Sequence, residues 1–590
     1  MNRWLLIPLV LAALLAPLLL KGIYVDEFIY HYTNTRLLGL IQVLANDSLV
    51  YAVLSALLYV SYLPKTPLWL AALLRLSAVA VYLIYLVDYL VIVNFNTHLV
   101  LGDAIKYADY SYQYIEQVYA LRDATLAAIS ATLLALLFAF AFSRYKIGNW
   151  RRQKLPLAVI LLLPLVFGFS DNDRYVHAWI YRNVFDYNLT ILSESAPYSD
   201  GFVGALHSAN AAECQTVAAE RKNIVILMVE SLSSYQSRFF SGIEDWMPNV
   251  DRIAAGHQAY THFYANGFIT EDGEIALLTG LPPIYPPSSY NDDGGVSFAS
   301  FYAVETSLPK ALKSFGYRSE FLTSADLEFG NTGVWARSIG FDYVEGHEHA
   351  DYAAWPRFHF QAAPDEALYQ RAIDRIRQAK KQPLLLFIKT VSTHHPYVNP
   401  ENGKQSEAEA FQYADKQLGR FYQRLQDDGF FDNGILLIVG DHHSMTPLKP
   451  QESERFGHYK ASARVPLVVV TGGQAPQTES RQFQQTDVFN TLQGTVQGRQ
   501  CHSDWQGVLW GTAQTSPKFI VHRRGDNRDK VSVFTQDSDY LIKLNGDHTD
   551  VVSREPTEQT VRQSVVDRIN ALRLARVRWA RQEQSAEKSD

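Results

Sequence analysis

The sequence predicts an α-helical polytopic membrane domain of five spans, followed by an α/β doubly wound domain with a small C-terminal β-plus-helix extension. Three observations carry this expectation. The long apolar runs all lie within the first 170 of the 590 residues. Beyond them, short unbroken apolar runs alternate with amphipathic helical patterns, the texture of a sheet covered on both faces. After about Ser516 the pattern changes again, to a hairpin and a long charged helix.

The five runs are Trp4–Leu20, Leu44–Leu63, Leu68–Phe95, Ala124–Ser143 and Leu155–Ser170. A helix needs about 20 apolar residues to cross a bilayer core. The first run also has the flank of a secretory signal, but no Ala-x-Ala site follows it and four more runs come after, which favours an uncleaved helix. Arg144, Lys146, Arg151, Arg152 and Lys154 fill the loop between the fourth and fifth runs with no acid among them. The positive-inside rule places that loop in the cytoplasm. Alternating back puts Arg3 and Lys65 on the same side, and everything after Ser170 outside. The expected address is therefore a membrane, with the domain after the fifth span outside the cytoplasm. Arg75 and Asp88 interrupt the third run; intramembrane charge is functional by default, but Arg75 can snorkel inward and Asp88 can lie near the outer interface.

The expected organisation is a membrane domain at 1–170, a juxtamembrane linker at 171–221, a catalytic domain at 222–515 and the extension at 516–590. The formal net charge of -7 gives no reason to expect a nucleic-acid partner. The two cysteines, Cys214 and Cys501, both fall in the outward part, where an oxidising compartment permits a bridge between them; two free thiols are equally compatible. Strands are expected at Asn223–Val229, Pro383–Val391, Gly434–Gly440 and Val465–Gly472, helices over "SLPKALKSFG" and "DEALYQRAIDRIRQAKK". "KVSVFTQDSDYLIKL" alternates like a hairpin, and the tail it belongs to is expected to carry no chemistry of its own.

Open α/β sheets bind ligands at the carboxyl ends of their strands. Glu230 follows the first strand, and Asp441, His442 and His443 follow "GILLIVG". His394 and His395 follow "LFIKTVST", while Asp326, Trp335 and Arg337 follow "YRSEFLTS". Taken singly, an acid after a strand is more often a turn residue or a cap. Carboxylate and imidazole donors delivered together to one edge suit Mn²⁺, Mg²⁺ or Zn²⁺. Thr270, in "ANGFITEDGEIALLTG", begins a helical run with acids close behind it. It reads either as a helix cap or as a nucleophile.

Glu230 after its strand, "MPNVDRIAAGHQAYTHFYANG", the threonine loop, "THHPY", "VGDHHSM" and "HYKASARVPLVV" together resemble the sulfatase and alkaline phosphatase superfamily, and within it the lipoteichoic acid synthase-like, phosphoglycerol transferase branch. The resemblance implies a sulfatase-like fold with one divalent metal, commonly Mn²⁺, held by Glu230, Thr270, Asp441 and His442, with Thr270 as nucleophile. It implies substrate binding by His394, Trp335, Arg337 and Asp326. The implied reaction moves glycerol phosphate from phosphatidylglycerol to an envelope glycan or polymer through a phospho-threonine. The resemblance also narrows the address to a bacterial inner membrane and a periplasmic domain. A sulfatase proper would need a Cys/Ser-x-Pro-x-Arg frame, which "FITEDGEIA" lacks. The alternatives are a phosphoethanolamine transferase, a phosphodiesterase using water, and a membrane scaffold that has the fold without turnover.

Overall fold

The computed structural model describes residues 20–24, 36–95, 98–101, 182–192, 199, 201, 212–284, 306–379, 382–444, 446, 448–524, 530–536, 538–545, 548–551 and 565–573. Contacts divide the chain into two compact units, Met1–Ser193 and Glu194–Asp590.

In the first unit, helices Arg36–Tyr62 and Leu68–Phe95 pack side by side. The second has the expected bounds; the first begins eight residues before the apolar run at Leu44, because a helix does not stop where hydropathy falls. Leu68–Ile92, at mean hydropathy 2.2, is the helix among the described residues that is long and apolar enough to cross a membrane. Trp69, Leu73, Leu76, Leu83 and Leu90 are exposed along it at helical spacing, which suits a lipid-facing stripe. The expected spans Trp4–Leu20 (all but its last residue), Ala124–Ser143 and Leu155–Ser170 lie outside the described residues. Arg75 is buried, its Nε donating to Ser61 Oγ at 3.2 Å and its guanidinium 4.3 Å from the Tyr62 ring centroid, so it reaches toward the turn between the two helices. Asp88 is also buried: it accepts the Leu99 N–H at 2.8 Å and lies 2.9 Å from His98 Nδ1.

The second unit contains β1 (Glu213–Thr216), β2 (Asn223–Val229), β3 (Gln258–Tyr260), β4 (Phe263–Tyr264), β5 (Arg318–Thr323), β6 (Tyr343–Glu345), β7 (Leu384–Lys389), β8 (Gly434–Gly440), β9 (Leu467–Thr471), β10 (Gln477–Glu479), β11 (Phe483–Gln484) and β12 (Arg499–His502). Eight of these form one sheet in the order β10-β3-β9-β8-β2-β7-β5-β6. Strands β8, β2, β7, β5 and β6 are parallel, while β9 runs antiparallel to β8. The unbroken apolar run of β9 reports burial on both faces, and says nothing of direction. Along β2 the side chains alternate between two cores. Ile224, Ile226 and Met228 pack toward helices Thr270–Thr279 and Gln485–Gln497. Val225, Leu227 and Val229 pack toward helices Asp365–Gln378 and Glu407–Asp427. Each buried aliphatic side chain contributes roughly 1.5–3 kcal/mol, so β2 is firmly anchored, and the residue after it inherits that rigidity.

Strands β13 (Phe519–Arg523), β14 (Lys530–Thr535), β15 (Asp539–Asn545) and β16 (His548–Val551) form an antiparallel meander of their own. The expected hairpin is its centre, β14 with β15. The described part of the terminal helix, residues 565–573, packs on this sheet through Val565, Ile569 and Leu572. Cys214 on β1 and Cys501 on β12 face each other across an antiparallel pair and form a disulfide.

Candidate active site

The loops leaving β2, β7 and β8 meet the amino end of helix Thr270–Thr279. Glu230 directly follows β2, and Asp441 and His442 directly follow β8, its neighbour; all three are buried. One ligand atom from each lies within 4.8 Å of the others. Thr270 Oγ1 donates to Glu230 Oε2 at 3.1 Å and lies 3.3 Å from His442 Nε2. The cap-or-nucleophile question has a geometric answer for the cap. Thr270 is the first residue of its helix, not the N-cap, and its hydroxyl turns away from the helix backbone. Asp272 does the capping instead: its Oδ2 accepts the N–H groups of Phe268 at 3.0 Å and Ile269 at 3.4 Å.

The backbone around the cluster is held in place on several sides. Ser231 sits at φ 57°, a left-handed conformation costing about 1–3 kcal/mol for a non-glycine residue. It aims the Ser231 N–H at Asp441 Oδ1 (2.7 Å) and its Oγ at Glu230 Oε1 (2.9 Å). His442 Nδ1 lies 2.8 Å from the His443 carbonyl; a proton there leaves the Nε2 lone pair facing the carboxylates. Gln485 bridges the two halves of the site. Its Oε1 accepts the Asn266 N–H at 3.0 Å, and its Nε2 donates to the carbonyls of Gly440 (2.9 Å) and Asp441 (2.6 Å). Glycine is required at 273, where a Cβ would come 2.7 Å from the Asp441 carbonyl oxygen.

The electrostatics fit a cation. Burial alone pushes the Glu230 carboxyl up, but the His442 hydrogen bond and the charges of His394 and His442 outweigh it and hold it well below the usual range. Asp441 is pushed well above its ordinary value, first by burial and then by the Glu230 charge beside it. Burial lowers His442, yet Asp441 and Glu230 overcome this and raise it to about 10. Asp441 Oδ2 is a buried oxygen without a hydrogen-bond partner, 3.3 Å from His442 Nε2. Two crowded carboxylates, an imidazole whose Nε2 would exchange its extra proton for a cation, and a hydroxyl make a donor set suited to a divalent ion. Sulfatase-like enzymes use a divalent metal, and this cluster fits one.

The other sequence-derived positions divide. His394 lies on the loop after β7, close enough for its charge to act on Glu230, with its ring against those of His359 and Phe360. Asp326 is half-buried, donating its N–H to the Phe360 carbonyl at 2.9 Å. Trp335 does not line the site: it is 1% exposed within the apolar core, with Ala336 and Ile339 of the same helical face. Arg337 is exposed on the last turn of helix Thr332–Ser338. From the segment between Asp326 and Arg337, Gly330 comes near the Thr270 helix: a Cβ there would lie 3.2 Å from Glu271 Oε1. Trp335 and Arg337 sit further along the helix, whose apolar stripe claims the tryptophan. His443 points away from the cluster, 2.8 Å from Glu452 Oε1.

Sequence reasoning passed over Lys389, although a lysine ending a buried strand is a signal. Its Nζ lies 2.7 Å from Glu274 Oε1. Burial lowers its pKa, and Glu274 and Glu271 more than offset that. It also passed over His522 on β13, whose Nδ1 lies 2.9 Å from the Ala265 carbonyl at the start of the threonine loop. Burial pushes His522 down from 6.5 to about 4. A native pKa below the unfolded one means the unfolded chain binds more protons between those values. The resulting stability is complete above pH 6.5 and is lost as pH falls toward 4, about 3 kcal/mol in all. Urea midpoints at pH 7 and pH 5 are expected to differ less in His522→Gln than in the parent; equal pH dependence would contradict this.

Residues 222–498 match the Sulfatase family model. A phosphoglycerol transferase I from Xanthomonas campestris is 28% identical over 247 residues, covering 38% of this chain and 34% of that protein. Lipoteichoic acid synthase 1 from Bacillus subtilis is 21% identical over 301 residues, covering 47% of this chain and 46% of that protein. The match thus spans about a third to a half of these relatives' length. A solved structure of a protein in the alkaline phosphatase superfamily from Vibrio parahaemolyticus shares the fold at a TM-score of 0.50 and 20% identity, covering 66% of this chain and 93% of that one. The strand-end cluster therefore lies within the residues that match the Sulfatase model, and the chain is similar there to proteins named phosphoglycerol transferase and lipoteichoic acid synthase.

Proposed function

We propose that the protein is a membrane-bound phosphoglycerol transferase, moving glycerol phosphate from phosphatidylglycerol to an envelope glycan or polymer through a phospho-threonine at Thr270. The observation that carries this is the Thr270 hydroxyl, hydrogen-bonded to Glu230 and beside His442 at the edge of a charge-crowded donor set. Glu230, Asp441, His442 and Thr270 would hold the divalent metal, with Mn²⁺ the favoured ion. Bound there, such an ion lowers the hydroxyl pKa and neutralises phosphoryl charge.

The chain's own groups then have distinct tasks. Thr270 Oγ1, its proton passing to the Glu230 oxygen it already donates to, attacks the donor phosphorus. The P–O bond to diacylglycerol breaks, and the lipid alkoxide takes up a proton as it leaves. An acceptor hydroxyl next attacks the phospho-threonine, restoring Thr270. The helix N-terminus under Thr270 favours the anionic phosphoryl group. His394 and Asp326 are the proposed substrate contacts on the open side. The apolar helix Leu68–Ile92 supports a membrane address, and the disulfide supports an oxidising, periplasmic compartment.

The test is mass spectrometry on the full chain in detergent, incubated with phosphatidylglycerol and Mn²⁺. A gain of one glycerol phosphate on the peptide holding Thr270 is expected. A gain of phosphoethanolamine from phosphatidylethanolamine, with none from phosphatidylglycerol, would replace the donor. Cleavage of soluble phosphodiesters with no lipid adduct would make it a hydrolase, and no reaction at all a scaffold.

A further inference from the structure

Strand β13 runs beside the loop that leads into Thr270. The Arg523 N–H donates to the Asn266 carbonyl at 2.8 Å, and Asn266 Nδ2 donates to the Val521 carbonyl at 2.8 Å. His522 meets the Ala265 carbonyl, as described. The strongest link is an ion pair. Arg523 Nη1 donates to Asp272 Oδ1, with Arg523 4% exposed and Asp272 fully buried. The other oxygen of that carboxylate accepts from Phe268 and Ile269, the two residues before Thr270. Gly267 leaves room for the arrangement: a Cβ there would come within 2.3 Å of Asp272 Oδ2.

A buried ion pair is weak evidence for stability, since desolvation of both charges offsets much of their attraction. An apolar pair would fill the same space. What an apolar pair could not do is fix the direction of a carboxylate that in turn fixes two backbone N–H groups. Given the reading of Thr270 as nucleophile, we propose that Arg523 is a positioning residue for phosphoryl transfer. Through Asp272 it sets the loop that aims the Thr270 hydroxyl, and the C-terminal sheet is thereby part of the catalytic apparatus. This departs from the sequence-based expectation of a tail without chemistry. A misplacement of about 1 Å at a reacting atom costs on the order of 100-fold in rate.

The test compares the full-length parent with Arg523→Met and with the double variant Arg523→Met/Asp272→Asn, which removes both charges and so avoids a lone buried carboxylate. In the double variant the rate of adduct formation at Thr270 is expected to fall about 100-fold. KM and the Mn²⁺ dissociation constant should move far less than the rate, because Glu230, Asp441 and His442 are untouched and Thr270 is one donor of four. Arg523→Lys should recover part of the rate. Amide exchange at Phe268 and Ile269 should quicken in the double variant, with exchange in β2 and β8 unchanged. A double variant with parent adduct rate, or parent exchange at Phe268 and Ile269, would overturn the proposal. Exchange does not depend on the donor. A parent that forms no adduct but loses loop protection in the variant would therefore refute the proposed reaction and leave the loop-setting role of Arg523 supported.

Discussion

Replacing Thr270 by alanine is expected to abolish adduct formation and lower turnover by at least about 10⁴-fold, the scale of removing a nucleophile whose partners remain. The substitution leaves the cap intact, because Asp272 and not Thr270 holds the N–H groups of Phe268 and Ile269. The melting temperature should therefore stay within a few degrees of the parent. Retained Mn²⁺ binding would show that Glu230, Asp441 and His442 still form a site. Thr270→Ser keeps a hydroxyl in place and should retain measurable turnover. Turnover of the alanine variant near that of the parent would end the nucleophile assignment. Loss of both folding and metal binding would instead make Thr270 structural.

The second large effect concerns Asp441, and its sign depends on the metal. Asp441→Asn keeps the oxygen that accepts from Ser231 and His442, and removes the charge crowded against Glu230. Mn²⁺ affinity is expected to fall by more than the 10- to 100-fold typical of an outer-shell partner, since here a ligand itself is changed. Turnover should fall with it. In EDTA the variant should be more stable than the parent by about 0.5–2 kcal/mol, because a like-charge contact has gone. Thermal unfolding in EDTA and in saturating Mn²⁺ would show the crossing. An equal Mn²⁺-induced shift in both proteins would show that Asp441 is not a ligand.

The meeting of Glu230, Asp441 and His442 at one sheet edge was legible in the sequence for a physical reason. Glu230 and the Asp441–His442 pair each follow a short apolar run that is legible locally, and a parallel sheet delivers such ends to one edge. As substrate contacts, Trp335 and Arg337 rested on the resemblance alone, and no local pattern showed that helix Thr332–Ser338 would bury the tryptophan in the core and leave the arginine exposed. The antiparallel course of β9 leaves no mark on its composition. Gln485 and Arg523 were invisible for a different reason. Each acts on a backbone more than 200 residues earlier in the chain, and nothing beside it in sequence says so. The membrane reading is partly outside the described residues, and Leu68–Phe95 is the expected span that appears with its expected bounds.

The bond between Cys214 and Cys501 joins positions 287 residues apart, one just before the first core strand and one just after the helix that carries Gln485. If the chain is threaded outward from its amino terminus, as the proposed address requires, the first thiol arrives long before its mate. Until then it can only wait or pair wrongly. By the time Cys501 emerged, β2, β7, β8 and the Gln485 helix would all have crossed, so every segment carrying Glu230, Thr270, Asp441, His442 and Gln485 would already be present. Oxidation of this pair would thus report that the proposed reaction centre has been delivered whole. A translocation-arrested chain truncated before residue 501 would keep Cys214 open to alkylation, as a timestamp of incomplete export.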